Sequence, residues 1–262
     1  MDLELTGKHV LITGGSRGIG LACAQAFGAE GARVSIVSRR AESVRAALDD
    51  LKARGIACAG YDADLTKADD ARRMVEAAEM ALGPVDVLVN SAGAARRTPF
   101  AELQAQDWHD AMDNKFFTYI HVITPVVAGM GKRGRGTIVN VIGAGGKMAT
   151  TTHLAGGAAN AALMLATAGL AAAWAPQGVR VNAVNPGLTL TDRMAEGFAA
   201  EARQQGVTVE EAQARAEKRL PMGRICKPQE IADAVVWLAS ARASYVNGAI
   251  LAMDGAVAPI VV

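Results

Sequence analysis

Excess charge of either sign, paired cysteines and a long uninterrupted apolar run are all missing from this chain of 262 residues. Its 27 basic and 26 acidic side chains leave a net charge of +1. No electrostatic attraction to nucleic acid or to an anionic membrane is therefore expected. The three cysteines, Cys23, Cys58 and Cys226, are odd in number, scattered and without a C-x-x-C pair. They read as buried free thiols in a reducing compartment, and no metal is expected. No signal-peptide pattern opens the chain, and no apolar run of about 20 residues is suited to span a bilayer. The alanine-rich run from Leu154 to Ala175 comes nearest, but Asn160, several glycines and the following Pro-Gln-Gly mark it as a packed helix. The expectation is a cytoplasmic protein with a small-molecule partner and no membrane or nucleic acid.

What is present is a regular alternation. Apolar residues make up 51% and charged residues 20%, which excludes disorder. The length fits one α/β domain over residues 1–262. Strand-like segments read at about 8–13, 32–38, 56–61, 85–90, 136–142, 179–184 and 249–253, with helical stretches between them. Such alternation implies right-handed crossovers and a seven-stranded parallel sheet, doubly wound, with helices on both faces. Ligands then sit beyond the carboxyl ends of the strands, near the switch in strand order.

The stretch Lys8 to Gly20, KHVLITGGSRGIG, organises the rest. Val10, Leu11 and Ile12 form a short buried strand, and Thr13 to Gly20 turns the chain into a helix over Leu21 to Glu30. Gly14, Gly18 and Gly20 let the backbone approach a phosphate, and Ser16, Arg17 and Ile19 bring amides to the helix start, where anions are favoured. The spacing Thr-Gly-Gly-x-x-x-Gly-Ile-Gly is not the ordinary G-x-G-x-x-G. It resembles the short-chain dehydrogenase/reductase family, and the resemblance runs over nearly the whole chain. It implies a Rossmann-type fold, a nicotinamide dinucleotide and oxidoreductase chemistry.

Further motifs follow the strands. Ser38-Arg39-Arg40 stands where an acidic residue would hold the ribose of NAD; with Arg17, Arg39 favours the 2′-phosphate of NADP(H), with NAD(H) as the alternative. Asp64 and Leu65 resemble the family residues at the adenine, although Asp64 could equally cap the helix near Lys67. Asn90-Ser91-Ala92-Gly93 resembles the family's Asn-Asn-Ala-Gly; Asn90 would tie strands together, while Ala92 and Gly93 pass close to the cofactor. Asn114 matches a helix asparagine that in the family holds a relay water; a buried asparagine bonded to helix backbone is the other reading. Asn185-Pro186-Gly187 looks like the family's Asn-x-x-x-Pro-Gly signature from Val181 onward, with Thr189 and Thr191 beside the nicotinamide and phosphates. The charged excursion over about 189–221, with a Thr208-x-x-Glu211 capping box, reads as a lid. A helix starts at Pro228, and the apolar tail Val257 to Val262 fits an oligomer contact or folds back on its own chain. The resemblance implies a homotetramer or homodimer.

The catalytic centre breaks the pattern. The family carries a serine, a tyrosine thirteen residues on, and a lysine four beyond that. Counting from Ile138-Val139-Asn140-Val141 and from Asn185-Pro186-Gly187 puts Gly143, Gly156 and Asn160 in those positions. Neither glycine can move a proton. His153, one helical turn before Gly156, has an ordinary pKa suited to the task; a capping or surface role is its plainer reading. Lys147 could supply charge, Asn160 could still bond the ribose, and Arg96 and Arg97 line the pocket mouth or face solvent. Two functions fit. One is an NADP(H)-dependent oxidoreductase acting on a carbonyl or alcohol, with an unusual proton donor and a roomy, glycine-lined site suited to an acidic hydroxyl or a quinone-like ring. The other is a catalytically silent NADP(H)-binding protein, a sensor or the inactive partner of a related subunit.

Overall fold

The computed structural model describes residues 2–260. Val261 and Val262, the end of the apolar tail, lie outside the described residues. Seven strands form one sheet: β1 His9–Thr13, β2 Arg33–Ser38, β3 Cys58–Asp62, β4 Val87–Asn90, β5 Gly136–Val141, β6 Val179–Pro186 and β7 Ile250–Met253. Their order is β3-β2-β1-β4-β5-β6-β7, and neighbouring strands are parallel. The chain therefore leaves β1 toward one edge and returns at β4 toward the other. The crevice opens at that reversal.

The helices are α1 Gly18–Ala29, α2 Ala41–Ala53, α3 Ala68–Leu82, α4 Ala105–Ala111, α5 Thr118–Arg133, α6 Leu154–Trp174, α7 Asp192–Gln205, α8 Val209–Glu217 and α9 Pro228–Ala239. A π-helical turn, Met112–Phe117, joins α4 to α5. Each face of the sheet buries its own core. On one side Cys23 and Phe27 of α1, Ala47 and Leu51 of α2, and Ile231 and Val235 of α9 pack on Val10, Ile12, Val34 and Ile36. On the other, Met74 and Val75 of α3, Val122 and Val126 of α5, and Leu163 of α6 pack on Leu11, Leu88 and Ile138. Strands buried on both faces read as continuous apolar runs, which is why β1, β4 and β5 were legible without alternation.

By length and composition the segment Leu154–Gln177 is apolar enough to cross a membrane. Leu163, Thr167 and Ala171 along it are buried in the fold. Helix α8 begins on the expected capping box, with Thr208 Oγ1 accepting from Glu211 N at 3.1 Å and Glu211 Oε2 accepting from Thr208 N at 3.0 Å. A small separate core of Phe198, Ala202, Ala212 and Ile225 holds α7 to α8.

Four details depart from expectation. Strand β4 starts at Val87, because Val85 N donates instead to the Glu79 carboxylate at 3.0 Å. Strand β6 runs on through Asn185 and Pro186, which pair with Ala252 and Met253. The helix expected to carry Asn114 is broken there by the π-helical turn. Of the cysteines only Cys23 is buried; Cys58 and Cys226 are half-buried, and all three are free. Burial pushes the thiols of Cys23 and Cys58 up to about 12, so neither is a nucleophile near neutral pH.

A buried polar knot fastens the lower edge of the sheet. His9 is fully buried, with Nδ1 2.6 Å from Gly83 O and Nε2 2.5 Å from Ser35 Oγ. A carbonyl only accepts, so Nδ1 carries the proton and Nε2 accepts from the serine hydroxyl. The imidazole is held neutral, and burial pushes its pKa below the ordinary 6.5. A depressed histidine contributes stability above its unfolded pKa and loses it as the pH falls through the folded one. The melting-temperature gap between the protein and His9→Gln is expected to be widest above pH 6.5 and to narrow as the pH drops toward about 5; thermal melts across that range measure it.

Candidate functional site

The crevice beyond β1 and β4 is a cleft of about 520 Å³. Its base is a chain of buried hydrogen bonds. Thr13 Oγ1 accepts from Ser91 N at 3.1 Å and Ala92 N at 3.2 Å, and donates to Asn90 Oδ1 at 3.4 Å. Asn90 Nδ2 donates to Asn140 Oδ1, and Asn140 Nδ2 to Thr167 Oγ1, each at 3.0 Å. The ends of β1, β4 and β5 are thus locked to one another and to α6.

The glycine turn is built by close approach. A Cβ at Gly20 would overlap the Gly14 carbonyl oxygen, and one at Gly14 would lie 2.7 Å from Ser91 O. Gly14 and Gly18 have φ of +66° and +56°, the left-handed region that side chains avoid. The turn therefore lies flat against β4, with the amides at the start of α1 facing the cleft, the arrangement an anion needs. Ser16 Oγ donates to Ser38 Oγ at 2.9 Å, which joins the turn to the end of β2.

Most of the expected binding residues share this cleft. Gly14, Ser16, Arg17, Gly18, Ile19, Arg39, Asp64, Leu65, Ala92, Gly93, Asn114, Pro186, Gly187, Thr189 and Thr191 all line it. Arg17 and Arg39 are exposed at its rim. Asp64 Oδ1 accepts from Thr66 Oγ1 at 2.8 Å and Thr66 N at 3.2 Å, and the hydroxyl's hydrogen bond holds the carboxyl below the usual carboxylate range. The residue at the N-cap of α3 is Lys67, so Asp64 closes a turn before the helix instead of capping it. Asn114 Nδ2 donates to Asp110 O at 2.9 Å, the helix-backbone bond its plainer reading required, while the residue still reaches the cleft.

Three residues expected at the cofactor are absent from the cleft lining, for separate reasons. Gly20 is spent on the contact between turn and helix. Asn90 is fully buried in the strand-tying chain. Asn160 is 1% exposed, and the short 3-10 turn Ala144–Gly146 covers it: Cβ atoms at Gly143, Gly145 and Gly146 would lie 3.4, 3.6 and 2.8 Å from its side chain. Its Oδ1 has no hydrogen-bond partner.

The glycine-lined centre is not roomy either. A Cβ at Gly157 would lie 2.7 Å from Gly145 O, so the 144–146 turn sits directly on the first turn of α6. The space above Gly156 is filled by the His153 imidazole: a Cβ there would overlap the ring, 2.6 Å from Nε2, and would lie 2.8 Å from Ala95 Cβ. His153 occupies the N-cap position of α6 without a capping hydrogen bond, and its Nδ1 is buried and unpartnered. Burial, then the charges of Arg97 and Lys115, hold the imidazole below its ordinary pKa. His153 lies outside the main cleft. It lines an adjoining cavity of about 180 Å³ with Arg96, Thr98, Asp107, Asp110 and Thr152, and the two cavities share Ala94 and Asn114. Lys147 lines neither.

Two residues not anticipated from the sequence matter here. Lys115 lines the main cleft beside Asn114 on the π-helical turn, which no residue pattern announces. Tyr119 forms part of the cleft wall, but its hydroxyl donates to Val141 O at 2.6 Å and burial pushes its pKa up. Its hydroxyl is therefore not free to exchange a proton with a ligand in the cleft.

Known proteins share this architecture and sequence. The family model described as Enoyl-(Acyl carrier protein) reductase matches residues 14–257. Gluconate 5-dehydrogenase of Gluconobacter oxydans is 34% identical over 254 residues, 97% of this chain and 96% of that one. L-sorbose reductase from Gluconobacter frateurii, solved with NADPH and L-sorbose, superposes with a TM-score of 0.94 at 28% identity over the whole of both chains. An NADPH-bound short chain oxidoreductase from Pseudomonas aeruginosa PAO1, described as containing an atypical catalytic center, gives 0.89 at 31% identity over 98% of this chain and 99% of that one. The chain belongs to the short-chain dehydrogenase/reductase family.

The packing over Gly156 is testable by stability alone. Gly156→Ala is expected to cost about 1–3 kcal/mol by overpacking. The same change in a His153→Ala background should cost clearly less, because the ring it displaces is gone. Denaturant titration of the four proteins reads the coupling.

Proposed function

We propose that this short-chain dehydrogenase/reductase, an NADP(H)-dependent enzyme, interconverts a small polar carbonyl compound and its alcohol, with the imidazole of His153 handling the proton. The observation that carries this reading is the pair of adjoining cavities that meet at Ala94 and Asn114. One has the glycine turn and the arginines of a dinucleotide site; the other holds an unpartnered, depressed histidine among polar side chains. The fit to a dinucleotide rests on the glycine cradle, whose backbone approach any side chain would block.

When bound, the nicotinamide exchanges a hydride with the substrate carbon. The chain's own residues do the remainder. The amides of Gly14 to Gly20 receive the pyrophosphate, Arg17 and Arg39 the 2′-phosphate, and Asp64 and Leu65 the adenine. Ala92, Gly93, Pro186, Gly187, Thr189 and Thr191 flank the nicotinamide half. The substrate's polar remainder meets Arg96, Thr98, Asp107, Asp110 and Thr152. Gluconate and L-sorbose, named for two of the similar proteins, are hydroxyl-rich molecules of this sort. His153 is neutral at neutral pH, so it can accept the alcohol's proton at Nε2; in the reverse direction it must first be protonated.

Residues 189–221 form the lid over this site. Second copies of the same chain are the expected partners, as a homodimer or homotetramer, and the compartment is the cytoplasm. A silent nucleotide-binding role is the weaker reading, because relatives sharing about a third of their residues are named for turnover.

Two measurements follow. His153→Ala should lower turnover about 100-fold or more while leaving NADPH affinity unchanged. In the wild type, alcohol oxidation should be flat above pH 6.5 and fall below it as the imidazole takes a proton. A variant as fast as wild type removes the histidine from the mechanism. Arg39→Ala should weaken NADPH by roughly 10- to 100-fold and leave NADH nearly unchanged, as loss of a charge-assisted contact to the 2′-phosphate requires; parallel fluorescence titrations check it.

A further inference from the structure

We propose that Lys115 supplies the positive charge that Asn160 cannot, and that its ammonium binds the nicotinamide half of the dinucleotide. The inference rests on the NADP(H) reading of the cleft. Three observations lead to it.

The first is a vacancy of charge. The resemblance assigns a lysine to position 160, but the asparagine there is neutral and sealed beneath the 144–146 turn. The second is the distribution of cations. Among the described residues lining the cleft, the positively charged ones are Arg17, Arg39 and Lys115. Arg17 and Arg39 belong to the glycine turn and the end of β2, the side of Ser16, Ser38 and Asp64. Lys115 stands on the opposite side, with Gly93, Ala94, Asn114 and Thr118. Its charge is among those that hold the His153 imidazole of the adjoining cavity below its ordinary pKa.

The third is the backbone that presents it. In a regular helix successive residues turn by about 100°, so two neighbours diverge across the surface. The π-helical turn Met112–Phe117 slows that rotation, and both Asn114 and Lys115 reach the cleft. The exit of β4 presses on this turn: Gly93, at φ +116°, would carry a Cβ 2.6 Å from Asn114 O and 3.3 Å from Lys115 Cα. Thr118 Oγ1 closes it from below, donating to Lys115 O at 3.0 Å. π-Turns inserted in helices are frequent where function demands a re-aimed side chain. A lysine so held is a compact charge on a long stem, suited to ribose hydroxyls and to the phosphate next to them.

The test separates the two halves of the cofactor. Affinities for NADPH and for 2′,5′-ADP, which lacks the nicotinamide half, are measured by fluorescence titration and competition on the wild type, Lys115→Met and Lys115→Arg. Lys115→Met is expected to weaken NADPH about tenfold or more while 2′,5′-ADP stays within about twofold, and Lys115→Arg to keep most of the affinity. Unchanged 2′,5′-ADP binding also certifies that the variant cleft is folded. NADPH affinity untouched by Lys115→Met, an equal loss for both ligands, or an equal loss in the arginine variant overturns the proposal. A wild type that binds neither ligand overturns the cofactor reading itself, a distinguishable result, and turnover enters none of these readouts.

Discussion

The hydrogen-bond chain from Thr13 through Asn90 and Asn140 to Thr167 is the constraint on which the rest depends. Parallel strands buried on both faces read as continuous apolar runs, in which one valine packs much like the next. A line of buried amides and hydroxyls tolerates no slip, because each unmade bond strands a polar group away from water. The chain crosses the sheet where the strand order reverses, so it sets the relative heights of β1, β4 and β5. The centre of the cleft, from the glycine turn to Gly93 and Gly143, projects from those three ends, and the ends of β2, β3 and β6 complete its walls. The glycine turn can lie flat on Ala92 only because Thr13 holds the amides of Ser91 and Ala92 in place.

The glycine-rich stretch around His153 and Asn160 leaves no hole. Gly145, Gly146 and Gly157 allow the 144–146 turn to descend onto α6, and the His153 ring takes the volume above Gly156. These changes depend on one another: a side chain at 146 or 157 would lift the turn, and one at 156 would expel the ring. Asn160 is sealed by the same descent. The proposed cation, Lys115, stands across the cleft on an element with its own reason to be irregular.

The organisation of the fold was legible because it rests on local patterns. Apolar runs such as Val10 to Ile12 and Val87 to Val89 announce doubly buried strands, and the glycine spacing announces the turn after β1. Thr208 and Glu211 declare a helix start at a distance of three residues. The residues that line the cleft could be located because they follow strand ends, where the topology gathers loops into one crevice. What could not be read was how far neighbours approach. Nothing in the letters separates an Asn160 that faces the cleft from one covered by a turn. Asn90 and Gly20 carry family motifs for packing reasons and touch no ligand space. The π-helical turn was hidden because its register depends on Gly93 pressing from another element.

The excursion between β6 and α9 has a consequence of a different kind. Its helices α7 and α8 are held by Phe198, Ala202, Ala212 and Ile225, a core that shares no member with the two cores on the sheet. A β-bridge between Thr189 and Cys226 ties its two ends together. A unit with a private core and a joined base can open without drawing on the stability of the sheet. It can also be exchanged as a cassette, because its core and its joined base travel together while the cores on the sheet are left intact.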